Sequence, residues 1–220
     1  MATILGTLAL GQTPPDSGAA EQQVDRRILG VLPNYRTVED SRPFSPITAK
    51  RKFTIAAKDS FDYPVYFISG AFAALYQWDN QNPSFGQGLK GYGKRYAAAY
   101  GDQAIGNILT EGLVPTLSRE DPRYFRRGSG KNASRLRYAI TRVLLSRTDK
   151  GNWGFNYAEW LGNGAAAAIS NLYYPADTRN LHDNLEKLSV SVATDAFSNI
   201  LKEFWPDVKR KLHKHSAPKS

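Results

Sequence analysis

The sequence predicts an all-α protein, a compact bundle of about five to six helices behind an extended N-terminal arm. Three observations lead there. Ala- and Leu-rich stretches recur along the chain, with apolar residues at helical spacing. Alternating runs of Val, Ile and Thr, which strands favour, are missing. Clusters of Gly, Asn and Pro separate the apolar stretches. The missing alternation also argues against an outer-membrane barrel, despite the abundant Gly and Tyr. At 220 residues the natural expectation is one domain.

The elements follow in order. Residues 1–12 read as the remnant of a signal peptide: 2–11 (ATILGTLALG) are apolar and uncharged, and Ala9-Leu10-Gly11 precede Gln12 as a processing site would. No Lys or Arg stands before this run, as a full signal would require. Residues 13–45 form the extended arm, because Pro33, Pro43 and Pro46 forbid a long helix there. Within it, residues 28–35 (ILGVLPNY) make an apolar patch that docks on the body. A helical domain spans 46–208. Its first helix, 47–60, is opened by Ser45-Pro46. Residues 63–78 are apolar almost all round, which reads as a central core helix, with an interfacial helix as the alternative. Further helices are expected at 94–117, 133–147, 155–174 and 184–205, with a basic loop at 118–132. A basic flexible tail, 209–220, closes the chain. No stretch reaches the roughly 20 apolar residues of a membrane span.

A net charge of +9 points to an anionic partner. The absence of Cys removes disulfides, zinc–thiolate sites and thiol nucleophiles. Between Arg119 and Lys150, ten Lys/Arg face three Asp/Glu, which concentrates most of the charge there. Arg123, Arg126, Arg127, Lys131, Arg135 and Arg142 are therefore the candidate anionic-surface residues, with Tyr124 and Phe125 interleaved as at a headgroup interface.

Catalytic signals are sparser. Glu111 falls near the inner stripe of its helix, where a carboxylate must be paired or protonated. Glu159 and Asn163 lie on the face that carries Ala166 and Ser170. A carboxylate pair is the equipment of glycoside hydrolysis, so Glu111 and Glu159 are the acid/base candidates if they share one cleft; a buried structural network is the other reading. Asp195 and Asn199 lie opposite Val190, Phe197 and Ile200 and read as a solvated face. No metal or cofactor site is expected: His182, His213 and His215 lack ligand spacing, and Gly86–Gly91 spells G-x-G-x-x-G with no strand before it, so it reads as a turn. Small residues at four-residue spacing (Gly162, Ala166, Ser170; Ala97, Gly101; Gly70, Ala74) predict close helix contacts. Three helices end alike, with Asn107, Asn171 or Asn199 followed by a Pro, and each carries an acid earlier: Asp102, Glu159, Asp195. Proline terminating core helices accounts for that pattern without a repeat.

The strings Ala104-Ile-Gly-Asn107, Asp121-Pro-Arg-Tyr-Phe125, Ile169-Ser-Asn-Leu-Tyr-Tyr-Pro175 and Asn199-Ile-Leu-Lys-Glu-Phe-Trp-Pro-Asp207 resemble a family of exported bacterial envelope proteins with no assigned activity. The resemblance covers about Ile28 to Lys211. In some relatives a carboxypeptidase-regulatory-like β domain precedes this region, and none is visible here. The resemblance implies a compartment, periplasmic or outer-membrane-associated, and no reaction.

Two functions follow as expectations. The first is a non-catalytic envelope protein that binds an anionic lipid surface or an envelope protein through its basic face. The second is a hydrolase acting on envelope glycan or lipid through buried carboxylates. Nucleic acid is not an expected partner for an exported chain, and the sequence does not set the oligomeric state.

Overall fold

The computed structural model describes residues 27–28, 32–34 and 36–216. The expected signal-peptide remnant, the first half of the arm and residues 217–220 lie outside the described residues. The helical bundle is as expected, built from α1 (Ala49–Ser60), α2 (Tyr63–Trp78), α3 (Gly88–Asn107), α4 (Val114–Ser118), α5 (Asn132–Thr141), α6 (Asn163–Ser170) and α7 (Leu181–Ser216). The α3 helix packs on α1, α2 and α6, while α7 lies across α5 and α6.

Local chemistry sets the boundaries. Thr48, not Ser45, caps α1, its hydroxyl accepting from the Arg51 N–H at 3.2 Å. Asp62 caps α2 and also pairs with Arg27 at 2.6 Å, which fastens the arm to the start of that helix. The α3 helix starts at Gly88, six residues before the expected Lys94. The reason is Arg95, 1% exposed, which donates to the carbonyls of Gln81, Asn82 and Gly86 and binds the loop to the first turns of α3. The glycine string there is a turn, with Gly86 and Gly88 at φ +78° and +72°. A Cβ on Gly91 would lie 2.2 Å from the Gly86 carbonyl oxygen.

Seven short strands were not legible. β1 (Arg27–Ile28) pairs with β2 (Leu32–Pro33), and β3 (Thr37–Glu39) runs parallel to β5 (Tyr124–Arg126). β4 (Glu120–Asp121), β6 (Leu145–Thr148) and β7 (Trp153–Phe155) form a third sheet. The basic segment 118–132 is thus partly β, and the helix expected to reach Arg147 stops at Thr141. Its last carbonyls close in a tight turn, Ala139, Ile140 and Thr141 accepting from the N–H groups of Arg142, Val143 and Leu144, and the next two carbonyls are taken by Asn156 Nδ2 and Trp160 Nε1. At its far end α7 runs through Pro206 to Ser216, so much of the expected tail is helix. Pro206 denies Lys202 O its intrahelical donor, and the neighbouring Glu203 carbonyl is held by Arg135 Nη2 at 2.7 Å.

Burial inverts the expected polarity of several helices. Polar and charged residues outnumber apolar ones among the buried side chains, and many of the buried apolar residues are alanine. On α7, Asp195, Asn199 and Lys202 face inward while Val190 and Phe197 face out, Phe197 at 59% exposure. On α5, Arg135 and Ala139 are buried while Leu136 and Ile140 are exposed. The α2 helix is peripheral, not central: it rests chiefly on α3 through Pro64, Ser69 and Ala73 and exposes most of its apolar side chains.

Candidate functional site

Two helices widen by one residue per turn at the centre of the bundle. The α3 helix passes into α4 through a π-helical turn, Ile108–Leu113, and α6 is preceded by another, Ala158–Gly162. Pro115 gives a cause for the first, since it supplies no N–H to Glu111 O and its ring crowds that carbonyl in a regular helix. The turns touch. A Cβ on Gly162 would sit 2.8 Å from Thr110 Cγ2 and 3.1 Å from its Cα, so only glycine lets them approach. Gly112 makes the equivalent approach to Phe53 and Ala56 of α1. Between Thr110 and Gly112 the chain turns Glu111 inward, and Glu159 comes inward from the facing turn.

Both carboxyls line one cavity of about 620 Å³, within the size range of small-molecule sites. Asp59 from α1, Asn163 from α6, Asp195 and Lys202 from α7 and Arg36 from the arm line it with them. Arg36 pairs with Asp59 at 3.2 Å and contacts Glu111 through Nη1. Asn163 Nδ2 donates to Glu159 Oε1 at 3.2 Å. Glu111 Oε2, buried, has no donor in reach.

The electrostatics follow from this crowding. Burial, then the neighbouring Asp195 carboxyl, pushes Glu159 up to about 9. Burial raises Glu111 well above the carboxylate range, against the pull of Arg36, with Asp59 adding to the rise. Asp195 is raised by burial, and Lys202 is lowered by burial and by Arg36 to about 8. Glu159 and Asp195 are a carboxyl pair, and such a pair is stable when it shares a proton.

Stability should record that. Glu159 binds its proton more tightly folded than unfolded, so its contribution is complete below about pH 4.5 and is lost as pH rises toward about 9. Lys202, lowered to about 8, acts oppositely only above that pH. Thermal unfolding is therefore expected at lower temperature at pH 8 than at pH 5, by a few kcal/mol at up to about 1.4 kcal/mol per pH unit. Glu159→Gln should flatten that slope. An unchanged slope in the variant, followed by calorimetry, would show that the shared proton is not there.

The basic face requires correction. Arg123 ion-pairs with Asp121 at 2.7 Å. Arg126 pairs with Glu39 across β3 and β5. Arg135 is buried against Glu203 and Asp207, at 2.9 and 2.6 Å. Arg142 lies over Trp153 and Tyr138, 4.0 and 4.3 Å from the ring centroids. Only Arg127 and Lys131 of the six are exposed. For Arg126 and Arg135 local sequence could not reveal this, because the acidic mates Glu39, Glu203 and Asp207 are remote in the chain.

Sequence reasoning missed other cavity residues. Asp195 was read as solvated. Asp102 accepts from Tyr173 and Tyr174 hydroxyls at 2.5 and 2.7 Å, and its carboxyl is raised by burial. Asp102, Glu159 and Asp195, the acids of the three similar helix endings, all line the cavity, as do Asn107 and Asn199. That pattern was the available signal. At the start of α7, His182, Asp183 and Glu186 bring ligand atoms within 4.8 Å of one another. They are largely solvent-facing, and Asp183 is bonded to Asn180. Comparison with protein families, curated proteins and solved structures returned no match.

Proposed function

We propose that this chain is a hydrolase of the bacterial envelope that works by general acid–base catalysis. The observation that carries the reading is the convergence of Glu111 and Glu159, each on its own π-helical turn, on one cavity with both carboxyls raised. Such turns recur at functional sites, and acids poised at or above neutrality are what proton transfer uses. Glu159, protonated at neutral pH, gives its proton to the leaving group. Glu111, in its ionised form beside Arg36, takes a proton from the attacking water. The released leaving group carries Glu159's proton, and the water's hydroxyl joins the cleaved centre.

The envelope setting is supported by the apolar run before Gln12 and by the family resemblance. The basic-face docking mode is not carried forward, since four of its six residues are engaged inward.

The test is an assay of the purified chain on 4-nitrophenyl acyl esters and 4-methylumbelliferyl glycosides across pH 4 to 10. Hydrolysis of one class is expected, with an alkaline limb near the Glu159 value of about 9. A folded chain inactive on both classes at every pH would overturn the reading.

A further inference from the structure

We propose that the outer face of α2 is a docking surface for a lipid bilayer, on which the protein lies without crossing. Tyr63, Tyr66, Phe67, Ala71, Ala74, Leu75 and Trp78 recur at three- and four-residue steps and form one stripe along the full helix. All are exposed, Phe67 at 75% and Trp78 at 87%. A monomer in water does not ordinarily leave so continuous an apolar surface uncovered.

The chemistry of the stripe selects lipid. The helix carries no Asp, Glu, Lys or Arg over its 16 residues. It begins with Tyr63 and ends with Trp78, the two aromatics that settle at headgroup level. Lysines flank the stripe, Lys58 beside Phe61 and Asp62 and Lys90 and Lys94 on the first turns of α3, while Asp62 and Asp79 cap the helix ends. Gln77 donates to Gly88 O at 3.0 Å, which brings the start of α3 to the end of α2. A charge-free apolar face with lysines on neighbouring segments suits a helix lying in the headgroup–acyl boundary of an anionic bilayer. The helix is about 24 Å long at 1.5 Å per residue, short of the hydrocarbon core of roughly 30 Å. Among the described residues no helix is long and apolar enough to cross a membrane. The helix therefore lies along the interface.

The surface continues into the cavity. Ile68 and Phe72, beside the stripe, are both exposed and both line the cavity, together with Val65. This part of the inference rests on the hydrolase reading: a lipid lifted from the bilayer at α2 would reach Glu111 and Glu159 along that apolar wall, which makes lipid the substrate class.

The experiment is flotation of the whole chain with phosphatidylcholine vesicles and with vesicles that also contain phosphatidylglycerol. Binding to both is expected, stronger with phosphatidylglycerol, with binding to neutral vesicles insensitive to salt. The pair Phe67→Asp and Leu75→Asp, neither residue lining the cavity, should lower partitioning at least tenfold with an unchanged circular dichroism spectrum. Trp78 fluorescence quenched by brominated lipid, and unquenched by a Trp78→Phe control, gives the same answer without the charged variant. No flotation of the native chain, or flotation untouched by the double variant, overturns the proposal. So does a dimer that the double variant dissolves while vesicles recruit nothing. Glu159→Gln should float like the native chain, so a failed hydrolase and a failed docking surface give different results. Hydrolysis of soluble esters with none of vesicle lipid would remove the substrate class and leave the docking intact.

Discussion

Glu159→Gln is expected to lower turnover by about 10²- to 10⁴-fold, the range for removal of a positioned general acid. The amide matches the carboxyl in shape and keeps the bond to Asn163 Nδ2 through its oxygen, but has no acidic proton to give. Substrate binding should change little, so the loss should fall on kcat. Asp195→Asn separates positioning from proton donation. Asp195 is the second cause of the raised Glu159 carboxyl, after burial. Neutralising it should move the alkaline limb of the pH–rate profile downward, yet leave it above an ordinary glutamate because burial persists. Equal losses at all pH values in both variants would mean that the cluster only holds the bundle together.

The largest effect on stability is expected at Glu203, which is 0% exposed. Its Oε1 accepts from Gly128 N and Arg135 Nε, both at 2.9 Å. Its Oε2 accepts from the Tyr124 hydroxyl at 2.9 Å and Arg127 N at 3.1 Å. The proximity of that carboxylate, after burial, also raises the Tyr124 phenol. One side chain on α7 thereby ties α5 and β5 to the long helix. Glu203→Ala leaves the buried Arg135 with Asp207 and the residue-203 carbonyl, and leaves two N–H groups and a phenol without an acceptor. Loss of one partner of a buried pair costs about 3–5 kcal/mol. At roughly 2–4 °C per kcal/mol for a chain of this size, melting should fall by about 6–20 °C. Scanning calorimetry reads this directly, and a fall under about 3 °C would show that the staple is redundant.

Particular residues show what was legible. The limits of α2 were, since an uninterrupted apolar stretch is bounded by Asp62 and Asp79. Its location was not, because an all-apolar helix looks the same whether a core or a bilayer covers it. The polarity of α7 was read in reverse for a related reason. Periodicity separates Asp195 from Phe197 but does not say which side faces in, and the usual assumption fails around a charged cavity. Glu111 and Glu159 were legible as candidates, since each shares a helix face with small or apolar residues. Arg36 and Asp59 were not, because charge pairing across 75 residues, as between Arg36 and Glu111, leaves no local trace. The strands were missed because two to four residues cannot display an alternation.

The bare Gly162–Thr110 contact has a mechanical consequence. With no side chain to act as a cushion, the segments carrying the two acids cannot slide past one another separately. Displacing either one moves the other's backbone. The two acids are therefore carried on backbones that meet with no side chain between them, so the spacing of their turns is set by that contact.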